Sequence, residues 1–564
     1  MTALALLSLT SCERFGPDDP RPRESGTIDR DDSGTTPIHT GESGDDTGGE
    51  TGTTPPPPLS SYVYEVSREQ IAVVGLDLVV VTYGVLPTNP LGGYRDNEGN
   101  DPLFHVVRPR RWVDPAAAHP ALVWLHGGVL GIDDECPDPE TIPEGEDDPC
   151  NFCRRSGVEM LVENAISGHE FILAEVQQRQ WMMVVPENTW CDMWTGLGED
   201  DPVDANHKSV QHIHFVLDVL EEGLDDHLAD PAGLYLWGTS LGGSGAFPVA
   251  YGTGEEPSRF DGLVCDSGPT AFAWWDANSP FYAPYIEHLT GGPAYDDDGD
   301  PTPFWDNYAR IDGTLLVGER GFRVPVFSAW NTYDQLTEPE NGTALEALLP
   351  QTYGADGVRY WSHDYRHHAP MEYHHTQTAY RKPPWGYTPR AAFEFLAGRS
   401  VAFYEAEALC PTDVCVTQAE TSDDFESISI YSGGAAVTHG GDGSPGVVFR
   451  GEVPDDVPRG VPMTLMLALR AEGTTGTERA AELLTATLSA DGAAIATKVV
   501  TVAEIEEGDD ARVERYVAHV DGTTWAPDLD GDGVGDPLPE GPLTIEVTHA
   551  GPGTIYFDGV WFLW

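Results

Sequence analysis

The chain has 564 residues, which is too long for a single ordinary hydrophobic core, so two domains and additional segments are expected. Acidic residues outnumber basic ones by 93 to 30, and the formal charge of −63 argues against nucleic acid and anionic lipid as partners, because both bind to basic surfaces. No apolar run approaches the roughly 20 residues that a membrane-spanning helix needs. The acidic excess fits a strongly hydrated surface or, alternatively, a saline or calcium-rich habitat.

The first twelve residues predict export. A short apolar run, ALALLSLTS, ends at Cys12, and it resembles a bacterial lipoprotein signal, in which the cysteine is lipidated after cleavage. The alternative is an ordinary signal peptide that happens to precede a cysteine. The protein is therefore expected to be lipid-anchored to the cell envelope through Cys12 or secreted, with no other contact to a membrane.

Composition divides the rest of the chain into three parts. Residues 13–60 are almost entirely Gly, Thr, Asp, Glu, Ser and Pro, which predicts a disordered acidic tether. Residues 61–399 alternate apolar strand-like runs with helical stretches, including a helix over 207–227, so we expect an α/β domain with a mostly parallel sheet and helices on both faces. Residues 400–564 contain short β-type runs, many glycines and a helix signal only at 479–484, which is typical of a β-sandwich.

The pentapeptide Gly238-Thr239-Ser240-Leu241-Gly242 fits the G-x-S-x-G nucleophile motif. It follows an apolar strand and precedes a helix of small residues, and a sharp strand-to-helix turn in this context exposes a serine hydroxyl. The alternative is a plain glycine turn. We predict that Ser240 is the nucleophile and that the N–H of Leu241 donates to an oxyanion.

A second motif, Leu125-His126-Gly127-Gly128, also follows an apolar strand directly. In this position the N–H of Gly128 is predicted to be the second oxyanion donor. His126 is expected to hold the loop rather than to take part in the chemistry.

Together these motifs resemble the α/β-hydrolase superfamily, and GTSLGGSGAF is similar to exported serine esterases such as feruloyl and acetyl-sugar esterases. The resemblance covers about residues 65–400 and implies the chain order serine, acid, histidine. Asp334, which follows the predicted strand VPVFSAW, is the expected acid, and Asp266 and Glu338 are the alternatives.

The histidine is harder to choose because five lie close together between 363 and 375. His368 is the predicted base, with His367 and then His363 as alternatives. A metal site built from these histidines is the competing hypothesis, although no HExxH motif is present. The hydrolase hypothesis requires no cofactor for catalysis.

Seven cysteines follow Cys12, and export makes disulfides plausible. Cys410 and Cys415 are predicted to pair, while Cys265, inside the apolar run LVC, is expected to be a buried free thiol. Two more bridges are expected among four cysteines whose pairing the sequence leaves open: Cys136, Cys150, Cys153 and Cys191.

The last region begins with YEAE at 404–407 and ends with IYFD at 555–558. These ends resemble carbohydrate-binding modules of the galactose-binding-like jelly roll, which implies a structural calcium and a sugar ligand; a sandwich that binds nothing is the alternative. Alternating carboxylates near 530 predict a separate calcium loop. Its expected ligands are Asp528, Asp530, Asp532 and Asp536.

The leading functional hypothesis is an exported serine esterase acting on carboxylic esters, including those of polysaccharides. A serine peptidase of the prolyl-oligopeptidase type shares the same catalytic residue types but usually carries a propeller domain, for which this chain has no room. An inactive, surface-anchored carbohydrate-binding protein is the third hypothesis. The sequence leaves the oligomeric state open.

Overall fold

The structure is a computed structural model, and every structural statement below concerns the residues that it describes. They are residues 57–71, 76–90, 101–127, 170–187, 193–196, 208–252, 258–280, 282–296, 298–320, 324–330, 334, 337–352, 360–364, 387–410, 417–419, 435–440, 446–472, 480–502, 523–529, 536–551 and 553–564. The export signal, the tether as far as residue 56, and four predicted site residues lie outside these ranges: Gly128, His368, Asp530 and Asp532.

A nine-stranded mixed sheet forms the first part of the fold. Its strand order is β1-β2-β3-β5-β4-β6-β7-β8-β9, and pairing is antiparallel from β1 to β5 and parallel from there to β9. The strands are β1 Val63–Gln70, β2 Leu78–Val85, β3 Leu103–Pro109, β4 His119–Leu125, β5 Met182–Pro186, β6 Ala229–Thr239, β7 Gly262–Asp266, β8 Val326–Trp330 and β9 Tyr360–Asp364.

The apolar runs of the parallel strands are continuous because both faces of the sheet are covered. In β4, Val123 and Leu125 belong to one buried cluster, and Leu122 and Trp124 to another on the opposite face. Helices cover both faces, as the sequence predicted, and the α/β class is confirmed. They are α1 Glu170–Arg179, α2 Lys208–Glu222, α3 Leu241–Tyr251, α4 Phe272–Asn278, α5 Ala283–Thr290, α6 Trp305–Ile311, α7 Gly313–Arg320, α8 Glu338–Thr352 and α9 Tyr387–Leu396.

Two predictions about helices were wrong. The helix predicted over 207–227 ends at Glu222, since Gly223 takes a left-handed conformation with φ of 99° that stops it. The sequence also predicts a long loop over 271–323 at the rim of the sheet, whose aromatic residues either line a substrate pocket or join a cap to the core. The structure instead has the four short helices α4 to α7 within these residues. Apolar side chains of α4, α5 and α6, together with Met193 and Ala294, form a cluster of their own, here called the cap cluster: Met193, Phe272, Ala273, Trp275, Ile286, Leu289, Ala294, Tyr308 and Ile311.

The last part of the chain forms two antiparallel sheets. The first has the order β11-β12-β19-β14-β17 with β10 also on β19, and the second has the order β13-β18-β15-β16. The elements are β10 Val401–Glu405, the helix α10 Ala406–Leu409, β11 Thr417–Ala419, β12 Ala435–Gly440, β13 Gly446–Glu452, β14 Thr464–Glu472, β15 Glu482–Ala490, β16 Ala493–Thr501, β17 Thr523–Trp525, β18 Leu543–His549 and β19 Thr554–Leu563.

One apolar cluster lines both antiparallel sheets, including Leu467 of β14 and Val547 of β18. The helix signal at 479–484 was wrong, because Glu482–Ala490 is a strand whose alternating apolar side chains enter this cluster. The jelly-roll topology and the domain boundary at 399 stay predictions.

The antiparallel sheets also pack against the nine-stranded sheet. Trp361 of β9 lies with its ring centre 5.2 Å from that of Trp561 in β19, and Phe403 of β10 lies 4.9 Å from the same tryptophan. All three are buried in the cluster that covers one face of the nine-stranded sheet. No helix in the described ranges is both long enough and apolar enough to cross a membrane.

The cysteine predictions are tested in part. Cys265 is a buried free thiol, as expected, and burial raises its pKa to about 12. Cys410 is disulfide-bonded, but its predicted partner Cys415 lies outside the described residues, as do Cys136, Cys150, Cys153 and Cys191.

Candidate active site

Ser240 occupies a strained turn between β6 and α3. Its φ of 54° and ψ of −122° lie outside the regions that residues with a side chain normally adopt, and Ser240 is the N-cap residue of α3. The Ser240 N–H donates to the carbonyl of Asp266 at 2.8 Å, and the Ser240 carbonyl accepts the N–H of Gly243 at 2.7 Å. These backbone hydrogen bonds hold the turn although its conformation is unfavourable.

Glycine is required on both sides of Ser240. A Cβ at Gly238 would lie 2.0 Å from the carbonyl oxygen of Gly242, and a Cβ at Gly242 would lie 2.0 Å from that of Leu125. Neither distance is tolerable for a carbon atom, and in each case the neighbour is backbone. The glycines of the motif therefore allow the helix to start directly against the end of β4.

The segment after β4 lies against the serine, as the His-Gly motif predicted. A Cβ on Gly127 would lie 3.0 Å from Cβ of Ser240 and 3.5 Å from its Oγ. Leu241 is the first residue of α3, where an N–H has no acceptor within its own helix. The donor role of Leu241 stays a prediction, and so does that of Gly128.

His126 is fully buried beside this turn and holds its own loop. Its Nδ1 lies 2.7 Å from the carbonyl oxygen of Gly127, which can only accept, so Nδ1 carries the hydrogen. Burial lowers the pKa of His126, which keeps the ring neutral. These contacts agree with the expectation that His126 is structural.

Asp334 follows β8 and is 5 % exposed. Its Oδ1 accepts the N–H of Thr337 at 2.9 Å, and its Oδ2 accepts the hydroxyl of the same residue at 2.6 Å. Since β6, β7 and β8 are parallel, Asp334 follows a strand at the same edge of the sheet as Ser240. Its carboxylate also closes the turn before α8.

The alternative acids have different surroundings. Asp266 ends β7 and is buried, and the hydroxyl of Ser267 lies 3.4 Å from its carboxylate. Glu338 accepts the indole N–H of Trp275 at 2.5 Å, and burial raises its pKa. Because Trp275 belongs to the cap cluster, Glu338 joins the acid turn to that cluster.

The structure does not choose the histidine. His363 lies in β9, where its backbone pairs with Ala329 of β8. His367 and His368 lie outside the described residues. His368 therefore remains the predicted base.

Sequence reasoning missed the segment 193–196, which lies next to the His126 loop. Met193 and Trp194 are both buried and both left-handed, with φ of 52° and 61°. The Trp194 indole donates to the carbonyl of His126 at 3.1 Å. Nothing in the local sequence marks this segment, because its position depends on packing against residues far away in the chain.

The aromatic residues predicted to lie at the rim differ in their burial. Trp275 is fully buried in the cap cluster, whereas Trp274, Tyr282, Tyr285 and Trp305 are half-buried against it. Phe281 lies outside the described residues. The burial of Trp275 fits the alternative interpretation, in which the aromatic residues join a cap to the core.

The calcium loop near 530 is only partly described. The Asp536 carboxylate accepts the N–H of Leu529 at 2.6 Å, and the Asp536 N–H donates to Pro527 at 2.7 Å, so the ends of the loop are joined. No group of three or more His, Cys, Asp or Glu side chains suited to a metal occurs among the described residues. Calcium at Asp528, Asp530, Asp532 and Asp536 stays a prediction.

No protein-family model matches the chain, and no curated protein matches it. Solved structures similar to it include an S-formylglutathione hydrolase from Agrobacterium tumefaciens, at 13% identity and a TM-score of 0.34 over 53% of this chain and 90% of that one. Acetyl xylan esterase 1 from a Thermoanaerobacterium species matches at 11% identity and 0.33, over 60% and 90%. Prolyl oligopeptidase B from Galerina marginata matches at 12% and 0.33, over 57% of this chain and 36% of the peptidase. At these TM-scores the likeness assigns no activity.

Proposed function

We propose that the chain is a serine hydrolase of the α/β-hydrolase type that cleaves carboxylic esters. Ser240 is the nucleophile, His368 the base and Asp334 the residue that orients the base, and the N–H groups of Leu241 and Gly128 stabilise the oxyanion. The observation that carries the proposal is the strained Ser240 turn, closed by glycines that admit no side chain and covered by Gly127. Backbone strain of this kind persists where the surrounding structure enforces it, and it concentrates at functional sites.

The chemistry follows from the residue types. His368 removes the proton of the Ser240 hydroxyl as Oγ attacks the acyl carbon, and the carbonyl electrons move onto oxygen. When the tetrahedral intermediate collapses, the ester C–O bond breaks and the alcohol leaves with that proton. Water then attacks the acyl-enzyme, again losing a proton to the histidine, and the acid and free Ser240 are released. No cofactor takes part.

The surroundings of Ser240 favour such a reaction. The turn lies in a buried part of the fold, where donors aimed at a developing oxyanion are worth far more than in water. Fixed backbone groups on α3 and after β4 lie next to the hydroxyl without needing to reorganise.

Turnover of p-nitrophenyl acetate and labelling by a fluorophosphonate test the proposal. Ser240→Ala should abolish both and leave the far-ultraviolet circular dichroism unchanged. Ser258→Ala, in the loop before β7, is the matched control and should retain both. Full activity of Ser240→Ala would refute the proposal. Faster cleavage of peptides than of esters would show that the protein is a peptidase and not an esterase.

Export and carbohydrate association are further parts of the proposal, supported by the sequence alone. We propose that Cys12 anchors the protein to the cell envelope, which Cys12→Ser should abolish in a membrane fractionation of expressing bacteria. The region from 400 onward is proposed to bring the enzyme to polysaccharide esters. Retention of the full-length Ser240→Ala protein on insoluble polysaccharide, compared with albumin, tests this role.

A further inference from the structure

The segment 193–196 connects two parts of the molecule that the sequence keeps far apart. Met193 belongs to the cap cluster, whereas Trp194 belongs to the core that covers one face of the nine-stranded sheet. Two successive left-handed residues make this possible, because they turn neighbouring side chains into two different clusters. Non-glycine residues adopt such conformations where packing determines them more strongly than local preference does.

Trp194 makes three contacts with the elements around Ser240. Its indole N–H donates to the carbonyl of His126 at 3.1 Å, and its ring meets the His126 imidazole edge-on at 5.1 Å. A Cβ on Gly245 of α3 would lie 2.0 Å from Cβ of Trp194, so the tryptophan backbone also lies close to the helix that follows the nucleophile. One side chain therefore contacts both the loop after β4 and α3.

Two successive carbonyl groups of that loop are held by side-chain N–H groups. Trp194 holds the carbonyl of His126, and His126 holds the carbonyl of Gly127. Since a peptide bond is planar, fixing the direction of a carbonyl also fixes the plane of the peptide bond to which it belongs. Two adjacent peptide planes are fixed in this way, next to the hydroxyl of Ser240.

We propose that Trp194 is a positioning residue for catalysis, whose indole N–H fixes the loop at His126 and Gly127 against Ser240. This inference rests on the proposed ester hydrolysis. Trp194 does not touch the reacting atoms. It sets the geometry of the loop at His126 and Gly127, which lies next to the Ser240 hydroxyl. Met193 ties this positioning to the cap cluster, so that packing changes in the cap reach the loop through two consecutive residues.

The experiment compares Trp194→Phe with Trp237→Phe in the full chain. Both remove a fully buried indole, but the Nε1 of Trp237 has no hydrogen-bond partner in the described structure. A displaced loop near a reacting centre can lower turnover by about 100-fold. We therefore expect kcat for p-nitrophenyl acetate to fall about 10- to 100-fold in Trp194→Phe, with KM changed less than about threefold.

Trp237→Phe should leave kcat within about threefold of the parent, and the rate of Ser240 phosphonylation should follow kcat in both variants. Equal kcat values for the two variants would overturn the positioning role. If Trp194→Phe does not fold, benzothienylalanine at 194 keeps the shape and removes only the N–H, and an unchanged kcat there would overturn it equally. Ser240→Ala is measured in the same assay, because activity that survives in that variant refutes the proposed function instead.

Discussion

Two turns at the same edge of the nine-stranded sheet are built in opposite ways. The turn at Ser240 depends on missing side chains: Gly238 and Gly242 leave room for backbone to pass within contact distance of backbone, and the serine is strained. The turn at Asp334 depends on side chains that are present, because the carboxylate accepts both the N–H and the hydroxyl of Thr337. One turn is fixed by close approach, the other by hydrogen bonds.

This difference explains why the sequence identified the Ser240 turn directly, whereas it gave Asp334 only as one of several candidate acids. Close approach admits only glycine, so the requirement appears as a fixed spacing of glycines around the serine. Hydrogen bonds to a carboxylate can be made by many residue types, so the sequence named Asp334 as the expected acid but kept Asp266 and Glu338 as alternatives. The two turns should also respond differently to substitution.

Filling the Ser240 turn should have the largest effect. In Gly242→Ala the new methyl group would lie 2.0 Å from the carbonyl oxygen of Leu125, so β4 and α3 must separate. We expect a loss of about 3 kcal/mol or more in the free energy of unfolding, at the upper end for an overpacked core, together with loss of turnover. Urea denaturation measures the first and p-nitrophenyl acetate hydrolysis the second.

Gly318→Ala is the matched control. Gly318 lies within α7, where a Cβ would meet nothing within 4 Å and the backbone needs no positive φ. Alanine there should be neutral or stabilising by up to about 1 kcal/mol. If Gly242→Ala behaved like this control, the close approach at Ser240 would not be what fixes that turn.

Removing the charge of Asp334 should affect activity more than stability. The single amide oxygen of asparagine can still accept one of the two hydrogen bonds from Thr337, but it cannot stabilise an imidazolium. Since the equivalent change in a well-studied triad lowers kcat about 10⁴-fold, a loss of that order is expected for Asp334→Asn, measured on p-nitrophenyl acetate.

Glu338→Gln decides between the acids. The amide oxygen can keep the hydrogen bond from Trp275, so kcat should stay within about fivefold of the parent if Asp334 is the acid. If kcat fell about 10⁴-fold in Glu338→Gln and little in Asp334→Asn, the catalytic acid would be Glu338 and not Asp334.

Sequence patterns located the elements that depend on local signals. Apolar runs in residues 61–399 predicted strands, but they did not predict β1, because the side chains of β1 are mostly exposed and its sequence is polar. The helices between 272 and 320 were missed because each has only seven or eight residues, too few for a clear helical period.

For the site, the His-Gly motif predicted that the N–H of Gly128 would lie next to Ser240. The structure places the preceding residue, Gly127, against Ser240, and Gly128 lies outside the described residues. Trp194 could not be predicted, since its contacts are with His126 and Gly245, which are about 70 and 50 residues away in the chain, respectively. The choice of base also depends on non-local geometry, and His368 stays a prediction.

Thr337→Val sharpens the comparison at the acid turn. The hydroxyl donor to Asp334 is lost, while the backbone N–H at 2.9 Å remains. A hydrogen bond to a charged group contributes about 1.5–3 kcal/mol, so the free energy of unfolding should fall by about that amount, while kcat falls less than tenfold because Asp334 keeps its position. Urea denaturation and ester hydrolysis measure the two quantities.

The control is Thr343→Val, at an exposed position of α8 whose hydroxyl donates to the carbonyl of Glu340. It should change stability by less than about 0.5 kcal/mol. No loss of stability in Thr337→Val would mean that the Asp334 turn does not depend on its side-chain hydrogen bonds.

The smallest expected effect concerns His212. It tests whether the stability of the fold and the kcat of the site depend on pH through different groups. His212 in α2 is fully buried, its Nε2 lies 3.1 Å from the carbonyl oxygen of Leu103, and burial lowers its pKa to about 4. An unfolded chain binds a proton at this histidine below about pH 6.5, whereas the folded chain does not until about pH 4. Between these values the unfolded state holds more protons, so stability falls as the pH falls, by up to about 1.4 kcal/mol per pH unit for this one group.

In His212→Gln the slope of unfolding free energy against pH, measured in urea at pH 7, 6 and 5, should therefore be smaller by about that amount per unit. The pH profile of kcat should be unchanged, because His212 lies on α2 and not at the Ser240 or Asp334 turn. A shifted kcat profile would show that fold and site share this titration, and an unchanged stability slope would show that His212 is protonated equally in both states.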